Sequence, residues 1–255
     1  MRNFGVLFLL LVILATLLPT ASYSQKVQDS VHTVKNPLFK PAVLVIPAAF
    51  ITYGALGIKT NPIADWDEDI REDLGSRGIR TTLDDYTRFL PIVTVYGLNL
   101  TGIKGKNNFL DRSVILGTGT TLMFSSVKII KNNTSVRRPD GISLSSFPSG
   151  HTALSFMGAE FLHQEYGHLS PWYSVAGYTV AAGTGFLRMY NDKHWFTDVI
   201  AGAGIGILSM KIAYWLHPTI KRIFYKKSKK ESNFGLSVAP LYDGEQLTIA
   251  THFTF

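Results

Sequence analysis

Three short runs gather cationic, hydroxyl and imidazole groups at spacings suited to handling a phosphate. They are Lys131 with Arg138-Pro139, then Pro148-Ser149-Gly150-His151, then Arg188 followed by His194 and Asp198. Lys131, Arg138 and Arg188 supply cations able to hold a phosphate dianion and the charge it gains during transfer. His194 and Asp198 are four apart and share a helical face. The carboxylate accepts the Nδ1 proton, which leaves Nε2 unprotonated and free to attack phosphorus. His151 then protonates the leaving oxygen and later deprotonates the attacking water. Ser149 and the Gly150 N–H are expected to bind non-bridging oxygens, and Gly150 lets the backbone approach closely. Because the arginines and the lysine provide the charge a metal would supply, neither a metal nor a cofactor is expected.

These groups are distant along the chain and meet only if helices carry them to one place. Uncharged stretches at 42–58, 89–103, 113–127, 169–187 and 199–210, the last continuing to Leu216, read as helices. A weaker sixth spans 152–166. If consecutive helices run antiparallel, all three runs fall at one end of the bundle. Two helix N-termini, at Ser149–Thr152 and His194–Asp198, are then expected to point free N–H groups and positive dipole ends at the phosphate. The stretches are diluted with Gly, Ser and Thr, including the GxxxG spacing of Gly202 and Gly206, which suits close packing of helices in a membrane. The expectation is an all-α bundle of about six core helices, membrane-embedded, with a short C-terminal β-hairpin.

The chain of 255 residues carries no cysteine, which excludes disulfide scaffolds, zinc fingers and thiol nucleophiles. Its formal charge of +7 beside long apolar runs points to a membrane rather than to nucleic acid. Residues 1–24 have the layout of a signal peptide, with Arg2, an apolar core and a small-residue exit. Residues 25–88 read as an N-terminal helix and a charged loop, and 89–220 as the catalytic core. The acidic run between Lys59 and Arg88, which holds Asp65, Asp67, Asp84 and Asp85, reads as solvated surface, since its spacing fits no EF-hand loop. In 221–255, six basic side chains between Lys221 and Lys230 mark a cytoplasmic or anionic-lipid-facing end. Two alternating runs follow, and Asp243-Gly244 makes the turn between them. The basic run places His194 and Asp198 on the exterior side. A cleaved signal with six spans would put the tail outside as well, and the expectation that resolves this is a short segment at 89–103 that does not cross.

Together the three runs resemble the signature of the type 2 phosphatidic acid phosphatase (PAP2) superfamily, K-x6-R-P, P-S-G-H and S-R-x5-H-x3-D. The resemblance covers roughly residues 80–216. It departs at Leu187, where the pattern has Ser and a hydroxyl contact is lost. It implies a helical bundle, with Lys131, Arg138 and Arg188 on phosphate and Ser149 and Gly150 on its oxygens. It also implies His151 as acid, His194 as phosphohistidine nucleophile and Asp198 as its orienter. The expected protein is an envelope phosphatase acting on a phosphorylated lipid: phosphatidate, phosphatidylglycerol phosphate, polyprenyl diphosphate or lipid A phosphate. It is expected in the inner membrane with its site facing the periplasm. A soluble exported acid phosphatase, a vanadate-dependent haloperoxidase and a non-enzymatic lipid-phosphate binder are the other readings the residues allow.

Overall fold

The computed structural model describes residues 41–58, 61–74, 80–231, 235–242 and 247–254, so the expected signal peptide and the Asp243-Gly244 turn lie outside the described residues. After a 3-10 turn at Pro41–Leu44 come α1 (Val45–Gly57), α2 (Asn61–Leu74), α3 (Leu83–Thr87) and α4 (Leu90–Leu100). They are followed by α5 (Phe109–Asn133), α6 (Gly150–Tyr166), α7 (Pro171–Tyr190) and α8 (Phe196–Glu231). The strands β1 (Gly235–Tyr242) and β2 (Leu247–Thr254) pair antiparallel. Contacts divide the chain between Trp215 and Leu216 into a larger helical unit and a C-terminal unit that holds the strands.

Local chemistry sets the helix ends. The Asn108 side chain accepts from the Asp111 N–H at 2.9 Å and starts α5, and Pro171 follows the capping Ser170 at the start of α7. Asp192, at φ 56°, closes α7 in the left-handed conformation that Asp tolerates better than most residues. That reversal turns the chain from Arg188 straight back to His194. The acidic stretch keeps Asp65, Glu68, Asp69, Glu72, Asp73 and Asp85 exposed, as expected of solvated surface, and departs from that expectation at two positions. It folds into α2 and α3, and Asp67 and Asp84 are buried because each has found donors.

Helix α6 is buried on nearly every side, as an element surrounded by other helices must be. Its Leu154, Met157, Phe161 and Leu162 share a core with Ile115 and Met123 of α5 and with Ile205 and Met210 of α8. The glycines of α8 make this possible. A Cβ on Gly202 or Gly206 would strike the Ser149 or Ala153 carbonyl on α6, and one on Gly204 would strike the Pro47 carbonyl on α1. The GxxxG spacing therefore brings α8 backbone to backbone against the first turns of α6.

At the other end of α6 two buried carboxylates tie the bundle together. Glu165 accepts from Arg112 Nε (3.2 Å), Asn107 Nδ2 (2.6 Å) and Tyr214 Oη (2.6 Å). Glu160 accepts from Tyr178 Oη (2.5 Å), Lys211 Nζ (2.8 Å) and Gln164 Nε2 (2.7 Å). Among the described residues, α5 and Phe196–Ile223 of α8 are long and apolar enough to cross a membrane. Phe109, Leu110, Val114, Phe124 and Ile129 of α5 stay exposed, an apolar face suited to lipid. With 11 residues α4 is only about 16 Å long, too short to cross ~30 Å of hydrocarbon.

Candidate active site

The reactive groups meet where the start of α6, the end of α7 and the start of α8 converge. The Ser149 N–H donates to the Asp198 carbonyl at 3.0 Å and joins the first turns of α6 and α8. His194 is buried, with Nδ1 3.3 Å from Asp198 Oδ2, while its Nε2 has no hydrogen-bond partner among the described residues. The same Oδ2 accepts from Ser146 Oγ at 2.5 Å and from the Trp195 N–H at 2.9 Å. Three donors on one oxygen fix the carboxylate, and the carboxylate in turn fixes the ring. Burial pulls His194 down to about 4, helped by the charges of Arg188 and Lys131 and opposed by Asp198. At neutral pH the imidazole is therefore unprotonated, the form that can attack phosphorus.

The cations gather around this ring. Lys131, in the last turn of α5, donates to the Ser145 and Ser146 carbonyls at 2.6 and 3.1 Å, and so holds the loop that carries Ser146. Arg138 and Arg188 lie close enough to Lys131 for their charges to act on it. A turn from the Arg138 N–H to the Ser143 carbonyl (2.9 Å), with Gly141 at φ 71°, shapes the Arg138 loop. The Nε atoms of Arg88, Arg138 and Arg188 are all buried without a partner among the described residues. Unpaired buried guanidinium donors are costly, so their concentration here marks a place prepared for an anion.

One expectation about the helix N-termini needs correction. The α8 terminus is not free, because the Trp195 N–H is taken by Asp198 and the Thr197 N–H by Asp67 Oδ1 at 3.0 Å. The buried Ser149 hydroxyl is turned to Thr152 Oγ1 at 2.8 Å and does not cap α6. The α6 terminus, at Gly150, is what remains open for an anion, with its first-turn amides uncapped by a side chain. Leu187, in place of the Ser of the pattern, contributes its carbonyl to the turn that ends α7.

His151 is not free in the structure. Its Nε2 lies 2.6 Å from Arg88 NH1 and 2.9 Å from Asp85 Oδ1. Burial, reinforced by the charges of Arg188 and Arg88, holds its pKa below the ordinary histidine value despite Asp85 and Asp84. Arg188 donates to Asp84 Oδ2 at 2.5 Å, and Asn191 Nδ2 donates to Asp84 Oδ1 at 2.9 Å. Asp67, Asp84, Asp85, Arg88, Ser146 and Asn191 were not foreseen from sequence. The signal for three of them was Asp84-Asp85 with Arg88 one helical turn on, directly before an apolar helix. Asp84, Asp85 and His151 also bring three ligand atoms within 4.8 Å of one another. Arg188 and Arg88 already donate to or crowd those atoms, so the trio fits a guanidinium network better than a metal ion. A cavity of about 390 Å³ lies on the α2 side, lined by Asp65, Asp67, Glu68, Trp195, Thr197 and Asp198 among others. Its acidic wall would repel a phosphate, which belongs instead on the arginine side of His194.

Fold and site together define a helical-bundle protein with an imidazole–carboxylate pair facing a cationic oxyanion pocket. The PAP2 superfamily model matches residues 120–222, the stretch that holds every expected site residue. Over 208 residues, 79% of this chain, it is 38% identical to the lipid A 1-phosphatase of Porphyromonas gingivalis, of which it spans 44% of the length. Among solved structures it is similar to LpxE of Aquifex aeolicus (22% identity, TM-score 0.44, covering 57% of this chain and 93% of that one). It is also similar to a transmembrane PAP2-type phosphatidylglycerolphosphate phosphatase of Bacillus subtilis (24%, TM-score 0.46, 69% and 98%).

Proposed function

We propose that this chain is a metal-independent phosphatase acting on a phosphorylated lipid through a phosphohistidine intermediate. The observation that carries the reading is the buried, unprotonated His194, backed by Asp198 and faced by arginines with unpaired donors. His194 Nε2 forms a bond to phosphorus as the phosphorus–oxygen ester bond breaks, and His151 gives its proton to the departing oxygen. A water oxygen then attacks phosphorus, the nitrogen–phosphorus bond breaks, and the water proton passes to His151. Arg138, Arg188, Lys131 and the α6 amides at Gly150 stabilise the charge on the equatorial oxygens.

Among lipid phosphates, the 1-phosphate of lipid A is the substrate we favour, because the 38% identical relative carries that activity in its name. The apolar face of α5 would keep the acyl chains in the bilayer while the headgroup reaches His194. The basic residues from Lys221 to Lys230 are proposed to stay in the cytoplasm, which puts the site on the periplasmic side of the inner membrane. The test is phosphate release by the purified protein from lipid A, phosphatidylglycerol phosphate, polyprenyl diphosphate and soluble phosphoesters, with chelator present. Acid-quenched samples are assayed for phosphohistidine. Release from lipid A, lost in His194→Ala, is expected; undiminished release by that variant refutes the mechanism. A lipid-binding protein without activity would give no phosphohistidine.

A further inference from the structure

His151 meets two partners of opposite charge at a single atom. Its Nε2 is 2.6 Å from Arg88 NH1 and 2.9 Å from Asp85 Oδ1. A ring nitrogen is a donor or an acceptor, never both at once. Unprotonated, Nε2 accepts from Arg88 and turns a lone pair toward a carboxylate that cannot donate. Protonated, it donates to Asp85 and repels Arg88. Each partner therefore favours the protonation state the other disfavours. We propose that Asp85 and Arg88 are positioning residues that hold His151 alternately as acid and as base. Asp85 binds the protonated ring before the leaving group departs, and Arg88 binds the neutral ring afterwards.

This inference rests on the phosphohistidine reading, which needs His151 in both states within one turnover. The proton is the one on Nε2. It passes to the ester oxygen as the phosphorus–oxygen bond breaks, and a water proton replaces it as the nitrogen–phosphorus bond breaks. The mounting suits the task. Asp85 lies in α3 and Arg88 caps its C-terminal end, so one short helix presents both groups to the ring. That helix is pinned by Asp84 to Arg188 and Asn191, and by Thr87 Oγ1 to Thr184 Oγ1 at 2.9 Å. The charged groups that act on His151 are Asp84 and Asp85 of α3, Arg88 at its end, and Arg188 of α7. Asp84 and Arg188 are matched with each other, which leaves Asp85 and Arg88 as the pair that responds to the proton. The Asp85 side chain is 51% exposed and free to swing aside when substrate enters, while the Arg88 guanidinium lies against the Phe89 ring at 4.7 Å.

The test measures the titration midpoint of His151 in the full-length protein by deuterium exchange at its Cε1–H, together with the pH profile of kcat. Asp85→Asn should lower the midpoint, and Arg88→Gln should raise it, each by about one unit. The basic limb of kcat should move in the same two directions, so that at a pH one unit above the Asp85→Asn limb that variant is about fivefold slower than wild type. Asp85→Glu and Arg88→Lys should restore the wild-type midpoint, which a merely structural role would not require. Thermal melts verify that each variant is folded. Midpoints that stay put, or that move the same way in both variants, overturn the proposal. The exchange measurement needs no turnover: a wild-type protein that released no phosphate would refute the proposed function, while the midpoints would still decide the pairing.

Discussion

Asp198→Asn is the sharpest probe of the site. Asn has the shape of Asp, and its Oδ1 can still accept from Ser146 Oγ and the Trp195 N–H, now at 2.5 and 2.9 Å from the carboxylate. The lost quantity is the negative charge behind His194. As Nε2 bonds to phosphorus, the imidazole becomes cationic, with Nδ1 3.3 Å from Asp198 Oδ2. Charge centres about 4 Å apart attract by roughly 4 kcal/mol at an effective dielectric constant of 20. At ~1.4 kcal/mol per decade this corresponds to a fall of about 10³ in the rate of the chemical step. The assay is single-turnover phosphate release in detergent micelles with enzyme in excess, alongside a thermal melt. A folded Asp198→Asn protein within threefold of wild type would refute the role given to the carboxylate.

The proton on His194 should give kcat/KM an acidic limb near pH 4, tenfold lower per unit below it once the substrate's own ionisation is corrected for; a limb near 6.5 would count against the burial argument. Gly206→Ala forces a methyl group against the Ala153 carbonyl and should cost about 1–3 kcal/mol in denaturant unfolding. Gly97→Ala, whose added Cβ meets nothing within 4 Å, should be neutral or stabilising. Glu165→Gln leaves the buried Arg112 guanidinium without its countercharge and should cost about 3–5 kcal/mol while KM stays at its wild-type value. A changed KM would tie that distant network to the site.

Much of this protein is written in its local sequence. Apolar runs free of charge can only be helices or strands buried from water, and their length and Gly content already favour packed helices. His194 and Asp198 were legible because four residues is one helical turn, a relation that any helix enforces. The GxxxG spacing was legible as a pattern, but its partner was not: only the packing shows that Gly202 and Gly206 face the Ser149 and Ala153 carbonyls.

Charge in the acidic stretch could not be assigned from sequence, because an aspartate in solvent and one paired in a core look identical along the chain. Asp67, Asp84 and Asp85 take their meaning from Thr197, Arg188 and His151, residues more than sixty positions away. Sequence fixed which groups could do chemistry and which helices could carry them. Tertiary structure decided which donors were already spent and which stayed open, because a hydrogen bond or an ion pair is a property of two positions at once.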